Sequence, residues 1–321
     1  MKRFKVLLVI VLALAGCGRS NGVTEHEILT NASTTVLAAG GRFSNPKWSP
    51  DGRKILVEHF EQWEYLEIRD ESGELLESQK LQRGGDQPQW MGSNPIYRES
   101  RKSGPGRRST SILAFGSPDA PLLTLEGSAY FSWTRDGRIA AVALNPGPGT
   151  VGEEQKPVDV YLFTPETEDI RFLWSAGSTI LSAYMSPSGR YVAVEYQDGD
   201  TAWVAALIEV DTGHSRELWR VPWPGRTISA LTWSPDEEFI GARYSAQSES
   251  GFYLLDPMGQ APPVRISATA MVRPDWSPAG DRIVYGTVGY PGENELRIFH
   301  LPTDWREQVE KLREEQQSQA G

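Results

Sequence analysis

The sequence predicts an all-β fold built from six four-stranded repeats and ending in a short helix. Three observations support this prediction. A phrase close to Trp-Ser-Pro-Asp-Gly, followed by an apolar run, recurs along the chain. Its copies follow one another at intervals of about 40 to 50 residues, a period typical of propeller blades. Strand-like runs alternate with turn residues between the copies, whereas a helix-like pattern is confined to residues 303–321.

Each copy begins at an anchor residue, which is tryptophan in all copies but one. The anchors are Trp48, Trp90, Trp133, Met185, Trp233 and Trp276. In Ser49-Pro50-Asp51-Gly52, proline sets φ and glycine tolerates positive φ, so the phrase predicts a tight turn between two strands. Two further strand-like runs follow in most copies, as in a four-stranded blade. We therefore predict a six-bladed β-propeller in which the anchors pack between blades.

The two ends of the repeat region have separate predicted roles. The last copy lacks an outer strand, and the run from Thr34 to Ala39, which precedes the first copy, is available to supply it and close the ring. From Asp304 the chain reads as a helix that places Trp305 and Val309 on one apolar face. This narrow face is compatible with docking on the propeller and also with an outward-facing tail.

The first residues predict export and lipid attachment. A basic start precedes an apolar run from Val6 to Leu14, which is shorter than the ~20 residues of a membrane-spanning helix. Leu14-Ala15-Gly16-Cys17 resembles the lipobox of bacterial lipoproteins. That resemblance implies cleavage before Cys17 and a covalent lipid on its thiol. Cys17 is the one cysteine in the chain, so the fold has no internal disulfide.

We therefore expect four segments along the chain. They are a lipoprotein signal peptide at 1–16, a lipidated N-terminus and linker at 17–33, the six-bladed propeller at 34–302 and a helical tail at 303–321. The lipid at Cys17 would anchor the protein to a membrane of the cell envelope. Gly18, rather than aspartate, follows Cys17, which favours the outer membrane facing the periplasm if the host has two membranes. The 42 Asp and Glu residues outnumber the 32 Lys and Arg, which argues against a nucleic-acid partner.

The repeats resemble the WD-like repeats of the TolB-type β-propeller family. The likeness covers roughly residues 34 to 302 and rests on the Ser-Pro-Asp-Gly phrase, which is intact in the first copy and has Glu237 in place of glycine in the fifth. The resemblance implies the fold. It does not imply one activity, because similar blades occur in binding proteins, in prolyl peptidases and in some polysaccharide lyases.

The residue before each anchor is a candidate ligand-binding residue, because the innermost strand of a blade faces the central channel. These residues are Lys47, Gln89, Ser132, Tyr184, Thr232 and Asp275, and Arg273 lies two positions further back. Asp275 is the single carboxylate among them, whereas a calcium site or a pair of catalytic acids needs more. We therefore predict no metal site, no catalytic residue and no cofactor apart from the lipid. A water-filled polar channel is the alternative to a ligand site.

A cluster of positive charge interrupts the acidic background in the second repeat. It consists of Arg98, Arg101, Lys102, Arg107 and Arg108, in a stretch whose glycine, serine and proline content predicts a loop. We expect this loop either to bind an anionic partner or to be a solvated hairpin connection.

Taken together, these features predict a lipid-anchored platform in the cell envelope that binds a protein or a glycan and is not an enzyme. The chain has no Gly-x-Ser-x-Gly, His-Glu-x-x-His or phosphate-binding glycine motif. The alternative is a propeller enzyme of the lyase or lactonase type that uses residues around the channel. Two or more carboxylates or histidines converging on the axis would favour the enzyme.

Overall fold

The structure, a computed structural model, describes residues 28–81, 85–104, 107–145, 158–177, 179–247, 249–287 and 294–320. Within these ranges the chain is all-β except for one helix at the C-terminal end, and the strands form a β-propeller arrangement. The strands of the first two repeats are β1 (Ser33–Trp48), β2 (Lys54–Phe60), β3 (Glu64–Asp70), β4 (Leu75–Lys80), β5 (Gly85–Met91), β6 (Asn94–Gly104), β7 (Arg107–Ala114) and β8 (Ser117–Glu126).

The other four repeats and the helix complete the described chain. Repeats three and four contain β9 (Ser128–Trp133), β10 (Ala140–Asn145), β11 (Asp159–Thr164), β12 (Asp169–Ser175), β13 (Thr179–Met185), β14 (Tyr191–Asp198), β15 (Ala202–Glu209) and β16 (Ser215–Pro222). Repeats five and six contain β17 (Arg226–Trp233), β18 (Ile240–Ala246), β19 (Ser250–Leu255), β20 (Val264–Ser267), β21 (Val272–Trp276), β22 (Arg282–Gly286) and β23 (Asn294–His300), which the helix α1 (Trp305–Ala320) follows.

Four of the predicted repeats form separate antiparallel sheets of four strands. These sheets are β5 to β8, β9 to β12, β13 to β16 and β17 to β20. Strands that are neighbours in the sequence are also neighbours in each sheet, as expected when tight turns connect them. The repeated phrase therefore marks the first strand of each sheet and the turn after it.

The other strands form one seven-stranded sheet in the order β21-β22-β23-β1-β2-β3-β4. Strand β1 belongs to both parts of it, because Thr34 pairs with Phe299 of β23 and Trp48 pairs with Ile55 of β2. The prediction that residues 34–39 supply an outer strand to the last repeat is confirmed. The described chain has four separate four-stranded sheets rather than the six predicted, because β1 continues from the last repeat into the first.

The repeats are arranged in a closed ring. Their first strands contact one another in the order β1, β5, β9, β13, β17, β21 and back to β1. Six clusters of buried apolar side chains lie between successive repeats in the described chain. The anchors Trp48, Trp133, Trp233 and Trp276 are at most 8% exposed, which confirms their predicted place in the core. A fully buried leucine- or phenylalanine-sized side chain contributes about 1.5–3 kcal/mol, so these layers hold the ring together.

The turn phrase folds as its residues predict. The Ser49 hydroxyl donates to Asp51 Oδ1 at 2.6 Å, and Gly52 adopts a φ of 73°. Glu237 replaces this glycine in the fifth copy and still has a φ of 63°. The Glu237 carboxylate accepts the Ser188 N–H at 2.5 Å, and this contact with the neighbouring repeat helps to hold a backbone conformation that is costly for a residue other than glycine.

Helix α1 docks on the propeller, which decides between the two alternatives left by the sequence. Trp305 and Val309 are buried against an apolar cluster that includes Phe239. The side chain of Gln308 accepts the Thr30 N–H at 2.8 Å and donates to the Thr30 carbonyl at 3.2 Å, so the helix also holds the first described residues. No helix in the described part of the chain is long and apolar enough to cross a membrane.

Candidate ligand-binding cavity

A cavity of about 410 Å³ lies where the first strands of the repeats meet. Its wall includes all seven residues that the sequence predicts to face the channel, namely Lys47, Gln89, Ser132, Tyr184, Thr232, Asp275 and Arg273. We call the first six of these, one from each repeat, the ring residues. The cavity has the volume of a typical small-molecule site. The role of these residues in binding a ligand stays a prediction.

A β-bulge shapes the first strand in four repeats. The residues Asn45, Gln87, Ala230 and Arg273, each two positions before a ring residue, have φ between 48° and 55°. Pairing with the second strand is interrupted at each of these places. A bulge leaves backbone N–H groups unpaired within its own sheet. At two of the four bulges the backbone meets a carboxyl group of the preceding repeat: the Gln87 N–H donates to Glu58 at 2.5 Å, and the backbone of Ala230 and Leu231 lies close enough to Glu195 to lower its pKa.

The acceptors belong to a recurring place on the second strand. In each repeat the ring residue pairs with one residue of the second strand. The place two residues further along that second strand is called the companion position. The six companion residues are Glu58, Arg98, Ala143, Glu195, Arg243 and Gly286. Four of them are charged, although the second strands are otherwise largely buried and apolar. Charged groups in such surroundings need hydrogen-bonding partners, counter-charges or a ligand.

Glu58 connects the first repeat to the second. It is 2% exposed, and it accepts hydrogen bonds from Asn45 Nδ2 at 2.7 Å and from the Gln87 N–H at 2.5 Å. Burial, together with the negative charge of Asp86, raises the pKa of Glu58 to about 7, although the Asn45 hydrogen bond and the Arg273 charge lower it. Both carboxyl oxygens are engaged, so Glu58 has a structural role behind the cavity wall.

Glu195 occupies the same position in the fourth repeat and lines the cavity. It is 4% exposed, and Tyr184 Oη donates to its Oε1 at 3.3 Å. Burial raises the pKa of Glu195 to about 8, although hydrogen bonds from Tyr184 and from the backbone of Ala230 and Leu231 lower it. Its Oε2 has no hydrogen-bond partner among the described residues. The raised pKa favours the protonated form of this carboxyl group near neutral pH.

Among the described residues, the cavity wall has two carboxyl groups, because Glu195 reaches it from a second strand in addition to Asp275 on a first strand. The sequence-based prediction covered residues of the first strands alone. The other carboxylate, Asp275, accepts hydrogen bonds from Lys47 Nζ at 3.1 Å and from the Trp48 N–H at 2.8 Å. Burial raises the pKa of Asp275, and the Lys47 charge opposes the rise. In the described chain, no group of three or more His, Cys, Asp or Glu side chains is placed to hold a metal ion.

Arg98 lies in the interior, which corrects its predicted place in an exposed basic loop. It is 7% exposed and donates to Asp86 Oδ1 at 2.7 Å and to the Ala129 carbonyl at 3.0 Å. Its guanidinium carbon also lies 4.3 Å from the centre of the Tyr130 ring. An interior charge is tolerated when it is paired and hydrogen-bonded, and Asp86 supplies the counter-charge. Arg98 therefore connects the second and third repeats.

The rest of the basic cluster lies on a β-hairpin rather than in a loop. Strands β6 and β7 stay paired up to residues 104 and 107, and Lys102 lies directly opposite Arg108. These two side chains are exposed, whereas Arg101 forms a 2.8 Å ion pair with Glu99. The side chain of Arg107 lies outside the described part of the structure. A role of this hairpin in binding a partner stays a prediction.

The predicted lipobox and Cys17 lie outside the described residues, so lipid attachment also stays a prediction. The described chain begins close to helix α1, where Leu29 is 1% exposed in the same apolar cluster as Trp305.

Sequence reasoning missed the companion residues. The sequence does contain a signal for them, since in three copies a charged residue lies ten positions after the anchor. The pairs are Trp48 and Glu58, Met185 and Glu195, and Trp233 and Arg243. In each copy it ends an apolar run that otherwise reads as a buried strand. Comparing the copies beyond the turn phrase would have found these residues.

The sequence matches no family model and no curated protein. Among solved structures, TolB from Acinetobacter baumannii is similar with a TM-score of 0.55 and 14% identity, over 81% of this chain and 63% of that chain. This chain thus spans less than two thirds of that TolB structure. An oligogalacturonate lyase in complex with manganese is similar with a TM-score of 0.54 and 11% identity, over 87% of this chain and 96% of that chain.

A second oligogalacturonate lyase, from Vibrio parahaemolyticus, has a TM-score of 0.52 and 11% identity over the same shares of the two chains. At these identities the likeness shows the fold alone. The fold is therefore a β-propeller, as it is in these neighbours.

Proposed function

We propose that this protein is a lipid-anchored propeller of the cell envelope that binds a protein or glycan partner at its central cavity and does no chemistry on it. The observation that carries the proposal is the cavity of about 410 Å³ with polar groups from every repeat on its wall. Stacked sheets keep these groups in place before binding, which lowers the entropic cost of association. The partner would insert a sugar residue or a side chain into the cavity.

The proposed architecture has six blades. In this count the seven-stranded sheet is two blades, and β1 is the outer strand of the last blade and the innermost strand of the first. The closed cycle of six first strands and the six apolar layers support the count. Sharing a strand between the chain ends closes the ring and removes an exposed sheet edge.

The proposed location is tested by removing the acceptor thiol. We expect Cys17→Ser to move the protein from the membrane fraction to the soluble fraction while its melting temperature stays within about 2 °C, since single surface changes have small effects. Continued recovery of the variant in the membrane fraction would contradict lipid anchoring.

The proposed binding site is tested by crosslinking the intact protein in its native envelope and purifying what it captures. Ser182→Trp places a bulky ring on the cavity wall, and the double variant Lys102→Glu with Arg108→Glu reverses charge on the β6–β7 hairpin. We expect the first variant to lose the captured partner and the second to keep it. Capture that depends on the hairpin and not on the cavity would overturn the proposed site.

A propeller enzyme is the second candidate, and the Glu195–Tyr184 pair is the observation that favours it. A carboxyl group that keeps its proton near neutral pH is suited to general acid catalysis. Acidic glycans and lactones should be incubated with the wild type and with Glu195→Gln. Turnover that the variant loses would establish an enzyme, whereas binding without turnover supports the binding protein.

A further inference from the structure

Arg243 is a cation on the wall of the cavity. In the described part of the chain, no hydrogen bond or ion pair reaches its guanidinium group, and its buried Nε is unsatisfied. Burial lowers the pKa of Arg243, and no neighbouring carboxylate opposes that effect. Removing a guanidinium from bulk water without a counter-charge costs free energy. Such a group is suited to an anion that comes from outside the chain.

The second repeat shows what is missing in the fifth. Arg98 occupies the companion position there, and the residue paired with it across the strands is Asp86. In the fifth repeat the residue paired with Arg243 is Ser229, next to the same kind of bulge. The two repeats thus share the same backbone arrangement. An aspartate provides the counter-charge in the second repeat, whereas a serine stands in its place in the fifth.

The other cations of the cavity differ from Arg243. Lys47 forms a 3.1 Å ion pair with Asp275. Arg273 lies close enough to Glu195 for its charge to lower the pKa of that carboxyl group. Arg135 is exposed to solvent. Arg243 therefore gives the cavity wall one positive charge that no described residue balances.

We propose that Arg243 binds the carboxylate of a small organic acid in the cavity, and this acid is either a free molecule or the end of a glycan chain. This inference rests on the proposed function and names its ligand class. The Arg243 guanidinium carries a single positive charge and so neutralises a monoanion, whereas a phosphate monoester carries close to two negative charges near pH 7. The planar guanidinium matches a carboxylate through two parallel hydrogen bonds. A volume of about 410 Å³ accommodates an acid of monosaccharide size.

The test uses glucuronate and acetate as carboxylate probes, glucose as the neutral counterpart and the full-length protein. Ser229→Asp supplies the counter-charge found in the second repeat, and Ser117→Asp makes the same charge change at an exposed site on the outer strand β8. We expect at least one carboxylate to bind the wild type and glucose to bind at least tenfold more weakly. Ser229→Asp should weaken carboxylate binding at least tenfold, whereas Ser117→Asp should leave it unchanged.

Arg243→Lys provides a second variant that keeps the charge and removes the planar fork, and we expect it to weaken binding about three- to tenfold. Thermal melting of each variant checks that it folds. Equal binding of the carboxylates to the wild type and Ser229→Asp, or no binding of either carboxylate to the wild type, would overturn the inference.

The same variants keep this inference separate from the proposed function in the crosslinking experiment. Partner capture that survives Ser229→Asp but not Ser182→Trp would leave the cavity as the binding site and remove the role of Arg243. Capture that survives both variants would remove the cavity itself.

Discussion

Glu58 and Glu195 occupy the same companion position in the first and fourth repeats, but their surroundings differ. Asn45 and Gln87 engage both oxygens of Glu58, which lies behind the cavity wall. Glu195 lines the cavity and keeps one oxygen without a hydrogen-bond partner among the described residues. One position in the repeat therefore serves as a connection between repeats in one place and as an available polar group in the other.

The difference shows how the surroundings of one position can vary from repeat to repeat. The position holds a buried carboxyl group in both repeats, because a bulge in the next repeat offers N–H donors to it. The neighbours on the first strand then decide whether that group is enclosed or reaches the cavity. Three substitutions and one pH experiment test whether Glu58 and Glu195 have these two different roles.

The largest effect is expected from Glu58→Ala. Removing this carboxyl group leaves the Asn45 side chain and the Gln87 N–H buried without an acceptor, which costs about 1–3 kcal/mol for each unsatisfied group. We expect the free energy of unfolding to fall by about 3 kcal/mol, as measured by urea denaturation. A loss below about 1 kcal/mol would mean that Glu58 does not connect the repeats.

The next largest effect, counted per pH unit, is expected from pH. Burial raises the pKa of Glu58 to about 7 and that of Glu195 to about 8, so each group is protonated in the folded chain at pH values where it ionises in the unfolded chain. Unfolding then releases protons, and stability falls as pH rises from about 5 towards 8. The slope is at most about 1.4 kcal/mol per pH unit for each group. Urea midpoints measured between pH 5 and pH 8 should decrease, and a flat profile would contradict both assignments.

A smaller effect is expected from Tyr184→Phe. This change removes the hydroxyl that donates to Glu195 at 3.3 Å, and one such hydrogen bond contributes about 1 kcal/mol. Because that bond lowers the pKa of Glu195, its loss should move the titration of the group to higher pH. Carbon-13 NMR of labelled glutamate carboxyl groups would measure the shift. An unchanged titration would show that Tyr184 and Glu195 are not coupled.

The smallest effect is expected from Glu195→Gln. An amide has nearly the shape of a protonated carboxyl group, so the free energy of unfolding at pH 6 should change by less than about 0.5 kcal/mol. The same variant should lose the part of the pH dependence that Glu195 causes. A large loss of stability at pH 6 would mean that Glu195 connects the repeats as Glu58 does.

The sequence predicts the parts of the fold that depend on local chemistry. The turn phrase, the buried anchors, the closing strand at Thr34 and the apolar face of the helix with Trp305 and Val309 all follow from turn preferences and apolar patterns, whereas the docking of that face does not. The continuity of β1 does not, because nothing local marks where one blade ends when the same strand begins the next.

Some residues of the candidate site could likewise be predicted from the sequence, and others could not. The ring residues are found by counting back from the anchors, since a first strand always faces the channel. Arg98 is misread and Glu195 is missed because the environment of each depends on another repeat, where Ala129 accepts a hydrogen bond from Arg98 and the backbone of Ala230 and Leu231 lies against Glu195. Whether a charged side chain is buried depends on the assembled ring, so the sequence of one strand does not predict it.

The closing strand also sets the order in which the ring is completed during synthesis. Thr35 and His300 lie 265 residues apart in the sequence, yet their side chains are hydrogen-bonded at 3.0 Å. Contacts between such distant residues form late, because nearly the whole chain must be available first. Until β23 arrives, the outer half of β1 is an open edge on which a strand from a second molecule can pair. The yield of folded protein should therefore depend on how fast the last repeat follows the first.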